Sequence, residues 1–113
     1  MSRRTDAELI ADITEAINRI SSYVDGLNFD DFLSDEKTQD AVVRNIEIIG
    51  EASKSISDDL RKKHKNVEWK LMAGSRDRLI HNYFGINLDV VWAIIKEDLP
   101  KLLTELKNLE RGN

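Results

Sequence analysis

The sequence contains no cysteine, which removes disulfides and thiolate metal ligation from any account of its stability or chemistry. Its only two histidines, His64 and His81, are isolated in sequence and argue against a histidine-rich metal site. Catalysis by this chain would therefore be metal-independent or rest on carboxylates, with no cofactor expected. Proline occurs once and glycine five times in 113 residues, and no Ser/Gly-rich stretch or internal repeat interrupts the chain. A compact, mainly helical chain without a linker is expected. No apolar run approaches the ~20 residues that span a bilayer, and the polar start Met1-Ser2-Arg3-Arg4-Thr5-Asp6 does not lead into a signal-peptide core. The expectation is a soluble, cytoplasmic protein with no membrane partner. An excess of basic charge is missing as well: 17 Lys and Arg against 21 Asp and Glu give a net charge of -4. Contact with nucleic acid would then depend on a local cationic cleft and not on the whole surface.

What is present is helical periodicity. The length suits one domain, residues 1–113, able to bury roughly two thirds of its unfolded surface. A first helix over about residues 5–24 carries Leu9, Ile10, Ile13, Ala16, Ile17, Ile20, Tyr23 and Val24 on one face, with Thr5 and Glu8 spaced as a capping box. Tyr23 reads as core. Asp25-Gly26-Leu27-Asn28 stops that helix, and Phe29–Leu33 is a short aromatic turn plugging the end of the core. Ser34 or Asp35 starts a second helix, about 36–56, with Val42, Val43, Ile46, Ile49 and Ile56 on one side and Arg44, Glu47 and Glu51 on another. A short helical piece, 58–64, leads to Asn66, which is expected to cap a helix over about 67–83 that Gly85 ends. Asn87 caps a further helix apolar on several sides, and Pro100 is expected to kink or restart it before a last helix, 101–110. Short connections favour antiparallel neighbours. The fold class is all-α, an up-and-down bundle of four to five helices.

Chemistry shows at Arg76-Asp77-Arg78-Leu79-Ile80-His81-Asn82-Tyr83. Arg76 falls on the apolar stripe of Trp69, Met72, Ala73, Ile80 and Tyr83. An unpaired buried guanidinium costs several kcal/mol, so it must meet a carboxylate or an anion at an interface. On a straight helix His81 lies about 140° around the axis from Arg76, whereas Tyr83 returns to within about 20°. Either the helix frays by His81 or a symmetry-related copy completes the site; the homodimer is the preferred arrangement. Two Arg76 and two His81 would then line one cleft, an anion clamp with a group that titrates near neutrality. That pair suits cleavage of RNA by its own 2′-hydroxyl, His81 moving the proton and Arg76 neutralising phosphate charge. The competing structural reading pairs Arg76 with Glu47 or Glu51 and leaves His81 a polar helix-end residue. Glu47 and Glu51 are expected to hold Arg44 or Arg76 in place. The cluster Arg61-Lys62-Lys63-His64-Lys65 is either a solvated helix end that complements the dipole or an RNA contact through Arg61, Lys62, Lys63 and Lys65, with His64 exposed. Trp69 and Trp92 read as core.

With these residues in view, the chain resembles the HepT-like toxins, small HEPN-domain ribonucleases of bacterial and archaeal HEPN/MNT toxin–antitoxin pairs. The resemblance rests on Arg76-x4-His81-x-Tyr83 and on Ala41-Val42-Val43-Arg44-Asn45-Ile46-Glu47-Ile48-Ile49-Gly50-Glu51-Ala52. Trp69, Asp89-Val90-Val91-Trp92 and Asp98-Leu99-Pro100 extend it over nearly the whole chain. It implies a HEPN-like bundle that dimerises through the motif helix and the toxin of a type VII-like pair. The toxin would be a metal-independent endoribonuclease cutting tRNA or mRNA, with Arg76 and His81 catalytic and Asp77 a supporting polar residue. It also implies a cognate MNT-type nucleotidyltransferase antitoxin that silences the toxin by AMP transfer to Tyr83, filling the cleft with charge and bulk. Ser75 departs from the larger apolar residue of many relatives. The alternative is a non-catalytic helical partner, or a substrate- or nucleotide-binding subunit of a nucleotidyltransferase.

Overall fold

A computed structural model of the chain describes residues 4–74 and 86–110. Their helices are α1 (Asp6–Val24), α2 (Phe29–Leu33), α3 (Glu36–Ser55), α4 (Asp58–Lys63), α5 (Trp69–Ala73), α6 (Leu88–Ala93) and α7 (Leu99–Glu110), with a π-helical turn Ile94–Asp98 joining α6 to α7. The fold is an all-α bundle whose centre is the α1–α3 pair, with α5 packed on α3 and α7 reaching α1.

Helix starts follow the local chemistry. At α1 the Thr5 N–H donates to Glu8 Oε1 (2.9 Å) while the Glu8 N–H donates to Thr5 Oγ1 (3.1 Å), the reciprocal box expected from the sequence. Asp35 caps α3 through Thr38, and Asn87 caps α6 through the Val90 N–H. Gly26 takes φ +78° just past the end of α1, a conformation that costs a side-chain-bearing residue about 1–2 kcal/mol. The α1 stripe Leu9, Ile13, Ala16, Ile17, Ile20 and Val24 meets Val42, Ile46, Ile49 and Ile56 of the α3 segment. Val91, Ile94, Ile95, Leu99, Leu102 and Leu106 close the core from the other end of the chain.

Four details differ from the expectation. Tyr23 is 40% exposed: it lies about 60° around the helix from Ile20, at the edge of the buried stripe, where α1 ends. The 29–33 segment is a true helical turn with its own capping box between Asn28 and Asp31, and only Phe32 is fully buried. Asn66 does not stand at the helix start; the chain continues as a turn in which the Val67 N–H donates to His64 O, Val67 is buried, and the helix begins at Trp69. Residues 69–73 of the expected 67–83 helix are thus described, and Gly85 lies outside the described residues. Pro100 sits inside α7 without breaking it. Lacking an N–H, it cannot bond the carbonyl one turn back, and the π-helical turn just before it widens the helix so that the Leu99 N–H reaches Ile94 O.

Candidate active site

Arg76, Asp77, His81 and Tyr83, with the rest of residues 75–85, lie outside the described residues. What the structure supplies is the frame on both sides. Upstream, α5 is seated on α3 by Trp69 and Met72, each 4% exposed. The Trp69 indole Nε1–H donates to His64 O at 3.1 Å, which ties α5 to the end of α4. Burying an indole with its donor satisfied contributes a few kcal/mol, so this is a firm anchor. Downstream, α6 starts at its Asn87 cap and buries Val91 one turn later. Trp92 completes an aromatic cluster with Phe29 (ring centroids 5.8 Å apart) and Phe32 (5.2 Å), and Lys96 Nζ stands 4.8 Å over the Trp92 ring.

The charged face of α3 is described directly. Arg44, Glu47 and Glu51 line an open groove between α1 and α3 together with Arg4, Asp12 and Ser55. Arg4 is committed there. Its guanidinium holds Asp12 through bonds of 2.7, 2.8 and 3.1 Å and approaches Glu8 at 3.6 Å. The Asp12 carboxylate raises its pKa above the usual arginine value. Glu51 is exposed and pairs with Lys54 of its own helix at 3.7 Å; Glu47 is half-buried and engaged. With three carboxylates against two guanidiniums, the groove is no anion clamp.

Of the basic cluster, Arg61 turns inward. Its Nη2 donates to the carbonyls of Ser53 (2.7 Å) and Lys54 (3.0 Å), capping the C-terminus of α3 from a residue of α4. Lys62, Lys63 and Lys65 are exposed, and His64, expected to be exposed, is half-buried.

A family profile described as "Ribonuclease HepT-like" matches residues 13–109. The chain belongs to the HepT-like ribonuclease family. It is 44% identical over 109 residues to "Probable ribonuclease HepT" of Thermococcus cleftensis, covering 96% of this chain and 99% of the relative. Two Methanocaldococcus jannaschii proteins, each entitled "Putative RNase", are 39% identical over 109 residues (96% of this chain, 90% of the relative) and 41% identical over 107 (95% and 98%). No solved structure matches the chain significantly.

The whole Arg76–Tyr83 run lies within the span matched to the HepT-like profile. Sequence reasoning about this HepT-like chain missed the clamp made by Arg61. The signal was there: an arginine eight residues after Ser53, just beyond a helix end, is within reach of that helix's free carbonyls. It also missed Lys96 over Trp92, which the i, i+4 spacing on one helix allows. Among the described residues, no helix is long and apolar enough to cross a membrane.

Proposed function

We propose that the protein is the toxin of a toxin–antitoxin pair, a metal-independent endoribonuclease whose reacting groups are Arg76 and His81. The observation that carries this reading is the Arg76-x4-His81-x-Tyr83 run inside a span matched to the HepT-like ribonucleases over nearly the full chain. In the reaction, the RNA 2′-oxygen attacks the adjacent phosphorus. The O2′–P bond forms, the P–O5′ bond breaks, and the products carry a 2′,3′-cyclic phosphate and a 5′-hydroxyl. One His81 accepts the 2′-hydroxyl proton or delivers a proton to the departing O5′, a contribution on the order of 10²–10⁴-fold. Arg76 neutralises the charge that builds on the phosphoryl oxygens.

The 140° between Arg76 and His81 on a straight helix supports a homodimer in which each site takes Arg76 from one protomer and His81 from the other. Asp77 orients the imidazole, and Glu47 holds Arg44 or Arg76 in place. A cognate nucleotidyltransferase transfers AMP to the Tyr83 hydroxyl, placing a negative charge in the cation-lined cleft and closing it to phosphate. The net charge of -4 favours one other reading, a non-catalytic module that docks on the nucleotidyltransferase. Expression in cells separates the two: the toxin halts growth and fragments cellular RNA, and His81→Ala relieves both. A parent that leaves growth and RNA untouched points to the docking module.

A further inference from the structure

The α4–α5 corner bears a concentration of free positive charge in a chain that is otherwise acidic. From Leu60 to Val67 there is no carboxylate, against 21 Asp and Glu in the whole sequence. Lys62, Lys63 and Lys65 are exposed and take part in none of the ion pairs among the described residues, whereas Arg4, Arg19 and Lys54 each hold a carboxylate. The helix dipole accounts for part of this. Arg61, Lys62 and Lys63 occupy the last turn of the six-residue α4. Lys65 lies past the helix end, beyond that explanation. Arg61 is spent on the α3 carbonyls, which leaves three ammonium groups within four residues facing water.

This corner is also stiff and joined to the motif arm. The His64 carbonyl accepts both the Val67 N–H (3.2 Å) and the Trp69 indole N–H (3.1 Å), so the turn carrying Lys65 is fixed to the first residue of α5. α5 leads directly into the segment that bears Arg76 and His81. A polyanion held at the corner is therefore held eleven residues, along the chain, from Arg76.

Resting on the ribonuclease reading above, we infer that Lys62, Lys63 and Lys65 form a docking surface for the phosphate backbone of the RNA substrate. It is sequence-blind. Three mobile ammonium groups with no planar or aromatic partner among them read charge and no base. On an acidic protein, such a local patch also decides which face RNA approaches.

The test uses the full chain and a fluorescein-labelled 2′-O-methyl oligouridylate, which lacks the attacking hydroxyl and survives the assay. Anisotropy titrations across salt concentrations compare the parent with the triple variant Lys62→Gln/Lys63→Gln/Lys65→Gln. A second triple, Lys37→Gln/Lys101→Gln/Lys107→Gln, removes equal charge from lysines elsewhere. Each backbone contact on a single strand contributes about 0.7 to the slope of log affinity against log salt, so the corner variant loses about 2 from that slope and the control loses none. With cleavable RNA, the corner variant raises KM and keeps kcat, and Lys→Arg at the three positions restores KM. Equal losses in both triples, or an unchanged slope in the corner variant, overturn the docking surface while leaving ribonuclease activity in place. A parent that neither binds nor cleaves RNA overturns the ribonuclease reading and the docking surface with it.

Discussion

Two carboxylates at helix starts set how the protein responds to acid. The Glu8 carboxyl is held below its ordinary value near 4.5 by the bond from the Thr5 N–H, with the Thr5 hydroxyl and then Arg4 adding to it. Asp35 is held below its ordinary 3.8 chiefly by the Thr38 hydroxyl and then by the Thr38 N–H. For both groups the unfolded chain binds the proton more readily than the folded one. Their contribution is therefore complete above about pH 5 and is lost as pH falls through the depressed folded values. Thermal unfolding followed from pH 7 to pH 3 is expected to show a falling midpoint below pH 4.5. Glu8→Gln keeps the cap geometry without the titration, and should flatten part of that fall. Glu105 works in the opposite sense. Burial, reinforced by Glu68 and opposed by Lys101, raises its carboxyl, so it favours the folded state less as it ionises.

Helix ends connect the elements to one another. Asp6 accepts from the Ser57 N–H (2.9 Å) and hydroxyl (2.5 Å), tying the start of α1 to the start of α4, and Arg61 ties α4 to the end of α3. Truncating Arg61 frees two carbonyls at a half-buried junction. Arg61→Ala is expected to cost about 1–2 kcal/mol in urea unfolding, while Lys62→Ala stays within about 0.5 kcal/mol. A similar cost for both would show that Arg61 is no clamp. Legibility in the sequence follows the range of the interaction. Thr5 with Glu8 and Asn87 with Val90 close within three residues and could be read directly, whereas the start of α3 was narrowed only to Ser34 or Asp35, of which the structure uses Asp35. Tyr23 and Pro100 could not. Exposure of Tyr23 depends on where the packing neighbours of α1 stop, and Pro100 was accommodated by a π-helical turn in the five residues before Leu99. The candidate site was legible as a motif. Its spatial assembly was not: residues 75–85 lie outside the described residues, and the proposed second copy of the chain is something no periodicity specifies.

On the scale of the whole molecule, the motif segment falls in sequence between two anchored helices, α5 on α3 upstream and the Asn87-capped α6 downstream. A composite dimer site makes a particular prediction. Arg76→Ala and His81→Ala, each inactive alone, should regain cleavage when unfolded and refolded together, because one of the two sites in the mixed dimer keeps both groups. Mixtures that stay inactive would place both groups of each site on a single protomer. The most direct measurement is incubation of the purified protein with end-labelled tRNA and mixed cellular RNA in excess EDTA, beside an equally folded His81→Ala variant. Fragments ending in 2′,3′-cyclic phosphate are expected from the parent alone. Intact RNA with a dimeric parent unmodified at Tyr83, or equal cleavage by the variant, would contradict that expectation.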